Sequence, residues 1–553
     1  MDRLLLCVCL LLTACNSVVS PAGTDFEPVF HSPAGAGGFG DGGSGNGSDS
    51  DEIVASTLVA GPTQIRLLSG AEYGRSVEDV LGVPSKALTH SDRGTGFDSG
   101  ASGRIDEALL WTLLTEAERI GRVYFGERLS EDFPCAGSTP LGNDCLAAVV
   151  RGLGHRLFRR PLSDSEVSDR VDAAQGDPEY AVTQMLLSPR FLYRTEIGIL
   201  SDPAQPPALD SYDRAALVAY ALTGSTPDDE LLEAAADGPF GPDEIRAQSR
   251  RLMQTSRGRE RLVELIKFWL RADVLDSMSE FPQYFEKFSD GELPEALHAE
   301  FSRFVERVVF DEQGTLAELL ASDQIPISED TAWLYGIDAS ENFAAVPGRR
   351  GIVTLASVMA ALSSEVVADI DSPVQRGLMI SEQLLCNTIG FPSGLNLQDA
   401  VDEADIDNEV FESWTTREQF EALMEQGPAC SSCHAQFMPV GFVLGGYNAL
   451  GQEVSSKGER PIEVAVDNVS LGGSITDLEN PESLVSFLET DPKVTQCFSE
   501  KVVAFVTGLN GGAFEAGLAS AIGKGEAPKE FGILRHIEEL LANPKLYERE
   551  SGG

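Results

Sequence analysis

Positive charge is what this chain has least of: 41 Lys and Arg stand against 87 Asp and Glu, a formal net charge of -46. Nucleic acid and anionic lipid would both be repelled by such a surface, which leaves a basic protein face or a divalent cation as the natural counterpart. The same charge also serves simply to keep a protein soluble. Long hydrophobic runs are missing too, since beyond the first dozen residues no stretch is long or apolar enough to cross a bilayer. Neither a G-x-S-x-G elbow nor an H-E-x-x-H pair occurs, and GLNGG and GGSGNG lack the strand-then-helix setting of a nucleotide loop. In so acidic a chain, individual carboxylate pairs carry no information. Strand signals are sparse, confined to short candidates such as Ile462 to Val469, and no solenoid period recurs.

What is present begins at the N-terminus. Met1-Asp2-Arg3 is a short charged start, Leu4 to Leu12 is apolar, and Leu12-Thr13-Ala14-Cys15 has the form of a bacterial lipoprotein cleavage box. The apolar run is too short to span a bilayer, so a processed signal is expected, with Cys15 becoming the lipid-bearing first residue. A short N-terminal membrane anchor is the competing reading. Asn16 after the lipidated cysteine does not obviously hold the protein at the inner membrane, so the outer membrane or a periplasmic face of the cell envelope is the destination expected. Asn16 to about Thr57, with GAGGFGDGGSGNGSDSDE, is too poor in apolar residues to fold and is expected to be a flexible tether.

Export places the remaining thiols in an oxidising space. Two of the nine cysteines, Cys7 and Cys9, fall in the signal, and Cys15 is the lipidation site. Cys135 and Cys145 bracket the loop AGSTPLGND and are expected to form a local disulfide. Cys386 and Cys497 can bridge two distant segments, although connectivity is not fixed by spacing.

The last two cysteines are the most informative. Cys430, Ser431, Ser432, Cys433 and His434 form one C-x-x-C-H set inside PACSSCHAQFMPVGF. Two thiols at this spacing can form thioethers to the vinyl groups of one haem, and the adjacent histidine then lies under the iron as proximal ligand. One covalent haem c is the cofactor expected, held by Cys430 and Cys433 with His434 on the metal. A plain disulfide, or half of a zinc site, would also use the two thiols. The histidine directly after the second cysteine is required only by haem.

Elsewhere the pattern is helical, and an all-α, multi-module body with an embedded cytochrome c-like segment is expected. Apolar residues recur at helical spacing in Leu262, Val263, Ile266, Trp269 and Leu270, and in Phe301, Phe304, Val305, Val308 and Val309. Capping boxes are read at Ser163 with Glu166 and at Thr415 with Glu418. Thr226-Pro227-Asp228 and Asp210-Ser211 open further helices, and Gly224, Gly238 and Gly508 close helices. Pro439 is expected to end the short helix that carries the haem motif. At 553 residues and 42% hydrophobic content several cores are possible. The divisions read from breaks in composition are a signal over 1–15, a tether over 16–60, helical modules over 61–134, 135–205 and 206–346, a cytochrome-like module over 347–470, and a C-terminal helical module over 471–553.

Seven segments, in order, resemble the exported cytochrome-like proteins of planctomycetes and myxobacteria, whose modules are largely of unknown function. They are IRLLSGAEYGRSVEDVLG from Ile65 with Gly96-Phe97-Asp98 after it, RLFRRPLSDSEV from Arg156, and MLLSPRFLYRTEIG from Met185. LVAYALTGSTPDDELLEAA from Leu217 follows, then RRGIVTLASVMAALSSEVV with SPVQRG ending at Gly377, PACSSCHAQFMPVGF, and CFSEKVVAFVTGL. The resemblance implies one haem-type motif followed by a Pro-x-Gly-Phe turn, here Pro439 to Phe442. Where that family has Met-Asp before the proline and an acidic pair after the phenylalanine, this chain has Phe437, Met438, Gly445 and Asn448. A metal or acid-base role there is not implied for it.

Met438 lies one turn beyond His434, on the proximal side, and is read as packing rather than as a second axial ligand. Met359, Met379, Met424 and His298 are the other candidates, each on an apolar helix where a core role is the default. His155, Arg156, Arg159 and Arg160 could hold a haem propionate or an anionic substrate, or pair with surrounding acids, and Arg376 carries the same ambiguity. The function expected is that of a lipid-anchored cell-envelope monohaem protein passing electrons to or from a partner with a basic docking surface, with an oxidoreductase whose helical body binds an organic substrate as the sharper variant. The alternative is a non-redox surface scaffold or carbohydrate-associated binding protein whose cysteines merely pair.

Overall fold

The computed structural model describes residues 59–85, 104–137, 140–276, 292–339, 342–363, 372–389, 413–426, 431, 434–509, 511–523 and 525–550. The signal, Cys15 and the Gly-rich tether lie outside them, as do Gly96-Phe97-Asp98 and the acidic stretch from Asp399 to Glu412. The body is mostly helical with a few two-stranded ribbons, as the 3.6-residue periodicity predicts.

The first group of elements is β1 (Gln64–Leu67), α1 (Gly70–Leu81), α2 (Glu107–Glu127), α3 (Asn143–Leu157), α4 (Asp164–Ala174), α5 (Pro178–Leu186) and β2 (Tyr193–Glu196). The Ser163–Glu166 capping box is present at the start of α4, each side chain satisfying an amide the helix leaves orphaned. A disulfide ties Cys135 to Cys145 in the first turn of α3. Leu113, Ile120, Val149, Leu153, Met185 and Phe191 meet in a fully apolar core. β2 returns to pair antiparallel with β1, placing Ile65 opposite Thr195.

That ribbon carries a buried ion cluster. Alternation along β2 turns Arg194 and Glu196 inward, where Glu196 accepts from Arg194 at 2.8 Å, Arg66 at 3.3 Å and Arg549 at 3.2 Å. Arg194 also donates to Glu72 at 3.1 Å. Both ends of the described body are thereby fastened to one carboxylate.

The second group runs α6 (Ser211–Thr223), α7 (Asp229–Ala236), α8 (Pro242–Met253), α9 (Ser256–Trp269), α10 (Glu292–Val305), a π-turn at Glu306–Asp311, α11 (Leu316–Ala321) and the ribbon of β3 (Gln324–Pro326) with β4 (Phe343–Ala345). Asp210 caps α6, and Gly224 ends it with φ 62°. The cap of α7 is Asp228 rather than Thr226. The Thr226 hydroxyl donates to Arg156 O at 2.7 Å, which leaves the Asp228 carboxylate to accept from Leu231 N at 2.9 Å. Gly238 likewise is not a stop, because Asp237 already closes α7 in right-handed geometry.

The third group is α12 (Ala356–Ala361), α13 (Pro373–Leu378) with a π-turn at Met379–Leu384, α14 (Thr416–Gln426), α15 (Met438–Phe442), the hairpin β5 (Val466–Leu471) with β6 (Ser474–Leu478), α16 (Pro481–Leu488), α17 (Pro492–Thr507), α18 (Ala513–Gly523) and α19 (Ile533–Ala542). The strand expected at Ile462 to Val469 is thus displaced to Val466–Leu471. Gly508 stops α17 as expected, with φ 66°. A disulfide joins Cys386 to Cys497 on α17. Beside it the Trp269 indole donates to Gln383 O at 2.5 Å and stacks edge-on to Phe498 at 4.7 Å, locking α9 to both segments. Among the described residues no helix is long and apolar enough to cross a membrane.

Candidate haem-attachment site

Thr415 and Glu418 open α14 with the expected box: Thr415 N donates to Glu418 Oε2 at 2.7 Å and Glu418 N to Thr415 Oγ1 at 3.3 Å. The helix leads toward the motif. Cys430 and Cys433 lie outside the described residues, whereas Ser431 and His434 are within them. Ala435 N donates to Ser431 O at 3.0 Å, and Phe437 N to His434 O at 3.2 Å.

His434 is 1% exposed, and its Nδ1 lies 3.0 Å from Met438 Sδ. A thioether sulfur offers only lone pairs, so this contact places the proton on Nδ1 and the free lone pair on Nε2. No described residue hydrogen-bonds Nε2. That is the tautomer a metal-ligating imidazole needs, with the second nitrogen oriented by a neighbour. The surroundings are apolar, with the Phe437 ring 5.3 Å away and Met438, Val440 and Phe442 all buried. The residues present therefore fit a buried histidine ligand. Met438 sits on the Nδ1 side of the ring, in keeping with a packing role.

Pro439 does not terminate the motif's helix. It occupies the first turn of α15, where the ring's fixed φ suits a helix start and its missing N–H costs nothing. α15 in turn packs against α13 at backbone distance. A Cβ on Gly441 would fall 1.9 Å from Pro373 O, and one on Gly377 would fall 2.3 Å from Phe437 O. Only glycine permits that approach, and it explains both the Gly of SPVQRG and the Gly of PVGF.

Arg376, adjacent to Gly377, is fully buried and donates to Leu444 O at 2.7 Å, Tyr447 O at 2.8 Å and Asn448 O at 3.0 Å. It staples the turn that follows α15 instead of facing a ligand. Arg349 reinforces the same turn, its guanidinium lying between the rings of Tyr335 (4.9 Å) and Tyr447 (4.1 Å) and donating to Gly451 O. Tyr335 in turn donates to the buried Glu300 at 2.7 Å, which also accepts from Ser357 N at 2.8 Å. Burial pushes the Glu300 carboxyl up and the Tyr335 hydroxyl well up from their ordinary ranges. Neither Arg349 nor Glu300 stands out in the sequence, since a single arginine and a single glutamate in an acidic helical chain carry no pattern.

The other candidates separate clearly. Met359 and Met379 are fully buried core residues, and Met424 is half-buried on α14. His298 is not a core residue: it is 44% exposed and lies 3.2 Å from Asp276 and 3.0 Å from Lys267. His155 lies in the last turn of α3, half-buried. Arg156 donates to Asp79 O at 2.9 Å, and Arg160 pairs with Glu166 at 2.7 Å. Arg159 donates to Arg190 O at 2.6 Å, Tyr193 O at 2.8 Å and Phe191 O at 3.2 Å. These contacts tie segments of the body together. Among the described residues no three His, Cys, Asp or Glu side chains form a metal-binding group.

Two family models match the chain: PSD4, protein of unknown function (DUF1592), over residues 209–337, and PSCyt3, protein of unknown function (DUF1588), over residues 349–456. The second spans α12 to α15 and the C-x-x-C-H motif. Two such modules therefore follow one another within the chain. Comparison with curated proteins and with solved structures gives no match.

Proposed function

We propose that this chain is a lipid-anchored, c-type monohaem protein of the bacterial cell envelope that carries single electrons. Cys430 and Cys433 would hold the porphyrin covalently, and His434 would ligate the iron through Nε2. Haem bound there supplies one-electron redox chemistry. The observation that carries the reading is the state of His434: buried, with Nδ1 engaged by Met438 at 3.0 Å and Nε2 unengaged by any described residue. The abbreviated name of the model over residues 349–456, PSCyt3, points the same way.

The chain's own residues have distinct tasks in this reading. Met438 orients the imidazole by accepting the hydrogen bond of its Nδ1–H. Gly377, Gly441 and Arg376 fix α15 and the turn after it, and so fix His434 relative to the body. The acidic surface, at a formal -46, would steer a redox partner with a basic docking face. Cys15 would attach the mature chain to the outer membrane through the Gly-rich tether.

Protein made in a host with haem-attachment machinery tests this. A Soret band that survives acid-acetone extraction, and is lost in Cys433→Ser, is expected. A colourless wild-type product, or pigment unchanged by the substitution, would overturn the assignment.

A further inference from the structure

A cavity of about 190 Å³ opens at the N-terminal end of α14, the end farther in sequence from residues 430–434. Thr416 and Arg417 from the first turn of that helix, Phe442 and Tyr447 from α15 and the turn after it, and Lys457 and Ile462 from the segment that folds back over them line it. The enclosing backbone is pinned, since Val454 N donates to Gly446 O at 2.8 Å and Ile462 N to Ser455 O at 2.9 Å. Phe442 is 4% exposed and Tyr447 is 2% exposed, so one wall is a buried aromatic face.

The facing wall is a set of donors without acceptors. Thr416 is 9% exposed, yet its hydroxyl makes no hydrogen bond among the described residues. A buried hydroxyl left unpaired costs free energy unless a ligand or water meets it. The amides of Thr416 and Arg417 stand at the first two positions of α14, where a helix offers them no acceptor. The Glu418 carboxylate does not serve them, being turned to Thr415 N at 2.7 Å and to Arg460 at 2.9 Å. Arg417 lies 5.3 Å from the Phe442 ring; its Nε donates to Glu421 and its Nη1 to Glu463 O and Ala465 O, which leaves Nη2 over. Lys457 adds a second cation, and the one carboxylate of the lining, Glu463, is exposed. Two cations, a free hydroxyl and the positive end of a helix dipole make an anion site, in a chain whose formal charge is -46.

We infer that this cavity binds a small organic carboxylate, its oxygens at Thr416, Arg417 and the first turn of α14 and its apolar body against Phe442, Tyr447 and Ile462. A cavity of about 150 Å³ accommodates a benzene ring, so the space here is too large for a bare inorganic ion and suits a ring or short chain bearing one acid group. The Tyr447 hydroxyl is already spent on Gly348 O, so that side of the cavity offers the ligand only an apolar surface. A cationic ligand would meet Arg417 and Lys457, and an uncharged one would leave the donors of α14 without the charge they favour. The site does not depend on haem.

Isothermal titration calorimetry of the full-length protein with benzoate tests it, with benzyl alcohol as an uncharged probe of similar shape. Benzoate is expected to bind, and benzyl alcohol at least tenfold more weakly. Thr416→Val replaces the hydroxyl by a methyl and breaks no hydrogen bond, so it should melt with the wild type while its affinity for benzoate falls about tenfold. Thr416→Ser, which keeps the hydroxyl, should retain the affinity. No binding of benzoate, equal binding of benzyl alcohol, or equal affinity of wild type and Thr416→Val would overturn the inference. So would benzoate binding by the pigment-free Cys433→Ser product and not by pigmented wild type, which would give the cavity to a carboxylate of the haem itself. The readout needs no pigment, so a colourless wild type that binds benzoate would overturn the haem assignment and leave this one standing.

Discussion

His434 Nδ1 faces Met438 Sδ at 3.0 Å across a single helical turn. An acceptor on that nitrogen pushes electron density toward Nε2, and a histidine that donates more electron density to a haem iron held there would favour its oxidised state. Met438→Leu should therefore keep covalent pigment while moving the reduction midpoint upward. Redox titration followed by absorbance checks this, and an unchanged or lowered midpoint would count against the geometry.

The approach of Gly441 to Pro373 gives a second expectation. Gly441→Ala forces a methyl into a carbonyl 1.9 Å away, and overpacking of this kind costs about 1–3 kcal/mol or more. The Tm should fall by several degrees. Gly238→Ala, which meets nothing within 4 Å, is the control and should leave the Tm in place.

Removing the hub of the buried cluster should be more severe. Glu196→Ala leaves Arg66, Arg194 and Arg549 without their shared carboxylate, a loss of about 3–5 kcal/mol for a broken buried pair. Burial alone would raise the Glu196 carboxyl, but the three guanidiniums outweigh it and hold it below the ordinary carboxylate value of 4.5. A depressed folded pKa stabilises above the unfolded value and loses that contribution as pH falls. Acid titration of the Tm should show the loss below about pH 4.5 in wild type and not in Glu196→Ala.

Asp213 behaves in the opposite sense. Burial first, then the nearby Asp210 and Glu196 charges, raises its carboxyl from 3.8 to about 7. The folded chain then binds the extra proton between those values, so this group's contribution falls as pH rises from 3.8 to about 7. Asp213→Asn should raise the Tm at pH 8 and leave it nearly unchanged at pH 4. A variant destabilised at pH 8 would contradict this.

The two disulfides should differ in weight. Cys386–Cys497 closes a separation of 111 residues and Cys135–Cys145 one of 10. Loop-closure entropy gives roughly 5 and 3 kcal/mol respectively. Chemical denaturation of Cys497→Ser and Cys145→Ser should rank them in that order.

Much of this was legible in the chain because its signals are local. The caps at Ser163, Asp210 and Thr415, the stops at Gly224 and Gly508 and the helical spacing around Trp269 each depend on neighbours within one turn. What escaped depends on contacts distant in sequence. Arg376 could be read as a ligand site because nothing nearby shows that its partners are carbonyls some seventy residues on. Pro439 could be read as a stop because a proline both ends one helix and begins another, and only the packing of Gly441 on Pro373 decides between them.

The central claim rests on residues 430–434 carrying a porphyrin. Peptide mass spectrometry of the mature protein, made where haem attachment can occur, reads this directly. The account predicts that the peptide containing Cys430, Cys433 and His434 carries one added haem mass. The same peptide found with free or mutually disulfide-bonded cysteines, and no tetrapyrrole, would contradict it.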